Sequence, residues 1–357
     1  MLKRKNQLQT TELIGEALQA FVATTGLQAE VMAGKSVRGN VASDAFIRVG
    51  DNGRPMDFVV EARERVTSAG LGALAMEFRQ PTKRSLLVTT YVAPQQAEEL
   101  RQRNIPFLDT AGNAFLNEPS LFVFVTGKRP TAPRVATKNF SQAFRPSGLG
   151  ILFALLRQPG LENQPMRDIA AAADVSLGAV SWELKQLEQA GYLLNSKTQG
   201  RRLFKQGELL KRWIEAYHER WRPKLLLARC SANRPDWWKG KDARLKTHHA
   251  YWGGEVAAEK LTNYLKPQTQ TIYTRDPAKE LQLEFGLKRD PQGDIEILQA
   301  FWPPEEKGTT RQLAPDQLAP ELLVYADLLG DADERKLETA GLIYERYLAG
   351  LIGEAAA

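Results

Sequence analysis

Lys197, Arg201, Arg202 and Lys205 fall within nine residues of one another, with Gln199 among them. Cationic and amide donors so grouped have the chemistry to hold nucleic-acid phosphates. Just upstream, Gly178, Ser181, Trp182 and Lys185 recur at helical spacing behind Ser176, and the set is short and polar enough to enter a major groove. Trp182 is open between core burial and nucleic-acid contact. Asp44, Glu61 and Arg63 raise a different chemistry, because an Asp and a Glu on neighbouring strands can hold a divalent metal while a lysine orients the attacking water. Arg63 stands where that lysine would be, and a guanidinium is bulkier and stays protonated. The expectation is therefore an inactive nuclease-like domain and a protein that is not an enzyme. A metal-dependent PD-(D/E)xK-type nuclease, recruited to DNA by the basic segment, is the alternative.

Other chemical signals are weaker. Gly34-Lys35-Ser36 lacks the glycine a phosphate loop needs five residues before Gly34, where Ala29 stands. Gly148-Leu149-Gly150 lacks the third glycine of a dinucleotide fingerprint. His248-His249 has no carboxylate or cysteine set at ligand spacing and reads as a loop, and there is no Gly-x-Ser-x-Gly. A lone cysteine, Cys230, excludes internal disulfides. Neither a metal nor a cofactor is expected.

The elements that must position the polar groups lie in residues 147–205. Gly150 to Arg157 reads as an apolar helix, and Pro165 precedes a second, Met166 to Ala173, whose alanines allow a close helix crossing. Asp174-Val175 makes a turn, and Ser176 is placed to cap a third helix ending at Ala190 before Gly191. Val180, Leu184 and Leu187 face its core. Tyr192 to Lys205 then reads as strand, basic turn, strand. These pieces make a winged helix-turn-helix, with Lys197, Arg201, Arg202 and Lys205 at phosphates and Ser181 and Lys185 nearest base edges.

Around it, the 357 residues exceed one domain of roughly 150. The fold class expected is multidomain α+β. Residues 1–127 form a mixed α/β, restriction-nuclease-like domain, with a helix over Thr11 to Thr24, strands at 45–49, 57–61 and 85–92, a charged helix from Pro94, and a buried strand at 121–125. Residues 128–146 form a Pro- and Arg-containing linker, 147–222 the winged helix and 223–357 a C-terminal α/β domain. There, a stripe of Leu337, Ala340, Tyr344, Tyr347 and Leu351 reads as core. The net charge of +6 is uneven: 14 basic against 13 acidic residues in 1–120, 23 against 10 in 121–250, and 11 against 19 in 251–357. So cationic a middle third is the footprint of nucleic-acid contact. No apolar run reaches the roughly 18 residues of a membrane span, and the basic N-terminus leads into polar residues, so a cytoplasmic protein is expected.

The run Met166 to Val180, continuing through Leu187 to Leu193, then Glu208 to Tyr217 and Arg222 to Leu225, resembles winged-helix regulators of the AbiEi antitoxin type. Tyr251 to Ala258 and Leu323 to Leu329 are similar to the C-terminal portion of that family, so the resemblance spans roughly 147 to 348. It implies a bacterial repressor that binds double-stranded DNA and serves as the antitoxin of a type IV toxin-antitoxin or abortive-infection system, with a nucleotidyltransferase toxin as partner. Operator palindromy adds the expectation of a homodimer or of adjacent monomers on DNA.

Overall fold

A computed structural model describes residues 2–32, 45–50, 55–63, 66, 74, 78, 84–130, 145–196, 200–304, 317–330 and 333–352. Gly34-Lys35-Ser36, Asp44, residues 131–144 of the expected linker, Lys197 and Gln199 lie outside the described residues. The chain divides into two units, Met1–Thr137 and Lys138–Ala356.

In the first unit, Leu13, Ile14, Ala17, Leu18 and Phe21 bury one stripe of helix α1 (Leu2–Thr25), which stops at Gly26 with φ +73°. The stripe packs on a seven-stranded sheet whose spatial order follows the sequence: β1 (Ala29–Val31), β2 (Ala45–Val49), β3 (Met56–Arg63), β4 (Ser85–Thr89), β5 (Phe107–Asp109), β6 (Ala114–Glu118) and β7 (Leu121–Val125). β3, β4 and β5 run parallel, and the flanking pairs are antiparallel. Pro94 opens α2 (Pro94–Gln102), as its fixed φ favours at a first turn. β7 departs from expectation. It is the last strand in the order, only Val123 is buried, and Phe122 stays 65% exposed.

The second unit begins with α3 (Pro146–Arg157), longer at its start than the sequence suggests and buried from Gly148 to Arg157. Gly148 and Gly150 therefore serve packing. A Cβ at Gly150 would lie 3.4 Å from the Ala173 carbonyl, in ordinary van der Waals contact, so the crossing with α4 (Met166–Ala173) is a close one. Next come α5 (Leu177–Ala190), a hairpin of β8 (Leu193–Ser196) and β9 (Gly200–Leu203), and α6 (Gln206–Ala216), which runs on through a wider turn, Tyr217–Trp221, into Arg222–Leu225.

Then a five-stranded sheet forms in the order β11 (Ala250–Gly253), β12 (Gln270–Thr274), β14 (Ile295–Gln299), β10 (Leu226–Ser231), β13 (Lys288–Arg289), with only β12 and β14 parallel. Helices α7 (Asp242–Thr247), α8 (Gly254–Thr262), α9 (Ala278–Phe285), α10 (Glu321–Leu328) and α11 (Glu334–Ile343) accompany it. Leu337 and Ala340 of α11 are buried, and Tyr347 beyond it donates to the Leu261 carbonyl at 3.3 Å. Helices and sheet share one core across the expected boundary near residue 222. Phe153 of α3 sits 5.5 Å from Trp213 and 5.0 Å from Phe301 between ring centroids, and Trp221 lies 4.1 Å from Phe301. Among the described residues, no helix is long and apolar enough to cross a membrane.

Candidate nucleic-acid interface

The α4 to α5 turn is built by local rules. Asp174 takes the left-handed conformation at φ +52°, which a short polar side chain tolerates, and closes α4. Ser176 stays extended, and its hydroxyl accepts from the Ala179 N–H at 3.3 Å, capping α5. Gly191 at φ +79° ends the helix. Val180, Leu184 and Leu187 are buried as their spacing requires, which turns Gly178, Ser181 and Lys185 outward and leaves Trp182 half-buried. The Arg145 guanidinium lies 5.6 Å from the Trp182 ring centroid, so this indole carries a cation on its face.

The hairpin is seated from behind. Asn163 accepts from the Arg201 N–H at 2.7 Å, and the Arg201 guanidinium donates to the Gln164 carbonyl. Gly200, at φ +70°, has no space for a Cβ, which would come within 2.3 Å of Asn163 Oδ1. Arg201 is thus half-buried and tied to the α3–α4 connection, whereas Arg202 points out, 5.7 Å from the Phe204 ring centroid. Lys205 is exposed but stands 3.2 Å from Glu208. Burial alone would raise the Glu208 pKa, yet Arg212 at 2.9 Å, the Tyr192 hydroxyl and Lys205 outweigh it and hold the carboxylate below its ordinary range. Among the expected phosphate contacts, Arg202 is therefore exposed beside the Phe204 ring, while Arg201 and Lys205 are engaged with Gln164 and Glu208.

Two further features lay outside the sequence reading. Glu183 is fully buried on the core side of α5 with no hydrogen-bond partner for either oxygen, and burial pushes its pKa up to about 8. Its place at i+3 from Val180 and i−4 from Leu187 was the available signal. Second, a polar seam joins α6 to the sheet and to α10. Asp327, its side chain 2% exposed, accepts from the Tyr273 hydroxyl at 2.9 Å, the Tyr217 hydroxyl at 3.1 Å, the Gly254 N–H at 3.2 Å and Arg222 Nε at 3.4 Å. Arg222 also reaches Glu296 at 2.7 Å. Burial, and then the Asp327 carboxylate, keep both phenols protonated far above their ordinary range, so both remain donors. A Cβ on Gly253 would come 2.5 Å from the Tyr273 ring, so the chain must pass there without a side chain.

Of the nuclease constellation, Glu61 and Arg63 both lie on β3, 3.5 Å apart, and Asp44 is outside the described residues. The histidine pair lies in the turn between α7 and β11, as its reading as a loop has it, and His248 there comes together with Asp276 and Glu280 from a separate segment.

Residues 202–349 match the family model described as transcriptional regulator, AbiEi antitoxin, type IV TA system. The resemblance legible in the sequence is borne out over that stretch, which is similar to a family of transcriptional regulators and antitoxins. The match begins within the hairpin, so α3, α4 and α5 precede it. No curated protein and no solved structure matches the chain.

Proposed function

We propose that residues 145–205 act as a winged helix-turn-helix that binds double-stranded DNA sequence-specifically, and that the protein is a repressor serving as the antitoxin of a type IV system with a nucleotidyltransferase toxin. In this reading α5 enters the major groove with Ser181 and Lys185 towards base edges and Gly178 allowing close approach. Arg202 and Lys205, with Lys197 and Gln199 from the sequence between β8 and β9, meet the flanking phosphates, while Arg201 seats the hairpin. One such unit covers a half-site, so two copies occupy a palindromic operator and occlude the promoter.

The observation that carries the reading is the Ser176-capped, outward polar face of α5 beside an outward Arg202, leading directly into a stretch that matches a transcriptional-regulator family. Fluorescence anisotropy on a duplex from the promoter region of the protein's own gene tests it. Arg202→Ala should weaken binding to every sequence and lower the magnitude of the salt slope by about 0.9. Lys185→Ala should instead erode the preference for operator over unrelated DNA. Unchanged affinity when Arg202→Ala and Lys185→Ala are combined, at every salt concentration, would end the assignment.

A further inference from the structure

The geometry points to a binding site for one divalent transition-metal ion, of the Zn²⁺ class, formed by His248, Asp276 and Glu280 at one end of the five-stranded sheet. The ligating atoms of these three side chains all lie within 4.8 Å of one another. A metal held tetrahedrally at about 2.0–2.2 Å by each donor needs donor separations of roughly 3.3–3.6 Å, so the donors must close by about 1 Å at most to complete the set. His248 Nδ1 already stands 3.9 Å from Glu280 Oε2, and Glu280, with its side chain 53% exposed, has the freedom to close.

The scaffold holds the other two donors. Asp276 and Glu280 are four residues apart, one just before α9 and one in its first turn. The Asp276 N–H donates to Thr274 Oγ1 at 3.0 Å, and the Arg275 N–H donates to the His249 carbonyl at 3.4 Å, lacing the end of β12 to the loop that carries both histidines. His249 Nδ1 lies 3.2 Å from Asp276 Oδ2, the position of a partner that orients a ligating carboxylate. Two carboxylates and one imidazole neutralise a divalent charge, and the imidazole selects Zn²⁺ or Fe²⁺ over the oxygen-preferring Mg²⁺ and Ca²⁺. His248 and Asp276 are partly buried, which fixes them better than an exposed acidic cluster would be fixed. Coordination would clamp the loop before β11 to the start of α9.

Calorimetric titration of untagged full-length protein with Zn²⁺ in a non-chelating buffer tests the site. One ion per chain is expected, with a thermal midpoint that rises with Zn²⁺ concentration and no competition from millimolar Mg²⁺. His248→Ala and Glu280→Ala should each weaken binding at least tenfold, His249→Ala less than His248→Ala, and Cys230→Ser not at all. Circular dichroism of the metal-free variants checks that they fold. Absence of binding, equal affinity in His248→Ala and the parent, or loss in Cys230→Ser would overturn the proposal.

Discussion

The outer face of α5 with its hairpin and the polar seam around Asp327 are both built from polar side chains in the same unit, yet they are organised by opposite means. On the outer face of α5 the placing is local: Ser176 caps Ala179, and the apolar residues of the helix decide which way Ser181 and Lys185 point, although the hairpin is seated at Arg201 from Asn163 and Gln164. In the seam, Tyr217, Tyr273 and Asp327 are 56 and 54 residues apart in sequence and meet only when the sheet and two helices are complete. A surface assembled by local rules tolerates variation in its outward residues, because nothing else depends on them. A buried network depends on every member, since a donor that loses its partner has no water to turn to.

The largest effect should follow from breaking the seam. Asp327→Ala would leave the Gly254 N–H without its acceptor, both phenols short of theirs, and Arg222 with Glu296 alone, so a loss of about 3–5 kcal/mol is expected. Urea denaturation followed by tryptophan fluorescence measures it, because Trp213 and Trp221 lie in the adjoining aromatic core. A loss below about 1 kcal/mol, the size of an ordinary surface change, would erase the contrast between the two regions.

The same division explains what could be read in advance. The limits of α4 and α5 agree with the sequence reading because Pro165, Ser176 and Gly191 mark them locally. The seat of Arg201 was hidden, since Asn163 and Gln164 precede it by 38 and 37 residues and nothing in their types announces a hairpin anchor. Asp276 and Glu280 were likewise invisible from His248, because ligand spacing in sequence says nothing about a sheet end that gathers separate loops. β7 failed for a related reason: Leu121 to Val125 has the composition of a buried strand, but its place in the sheet order makes it an edge.

Glu183 is where the two regimes meet, a polar residue on the inward side of the locally specified helix. Its folded pKa of about 8 lies above the ordinary 4.5, so its contribution to stability is fully present below about pH 4.5 and is lost as pH rises through 8. Stability of this unit should therefore decline across pH 5–8 by up to about 1.4 kcal/mol per pH unit. Glu183→Gln should flatten that decline and gain about 1–3 kcal/mol at pH 8, while changing little at pH 5, the amide still lacking partners. Thermal midpoints of both proteins at pH 5, 6.5 and 8 settle it. Parallel pH profiles would mean that the carboxyl finds a partner and that α5 is locally satisfied throughout.

The smallest expected effect separates the two roles of Ser176. As a cap with a fairly long 3.3 Å bond, it should contribute about 0.5–1 kcal/mol, lost in Ser176→Ala. Ser176→Asp should restore that stability, because a carboxylate caps as well and suits the positive end of the helix. On DNA the two variants should part company. If the start of α5 lies against a phosphate, the new negative charge weakens binding several-fold more than Ser176→Ala does, and more steeply at low salt. Equal affinities for Ser176→Asp and Ser176→Ala at low salt would place the beginning of α5 away from the DNA backbone, and would leave Arg202 and Lys185 to hold the duplex without it.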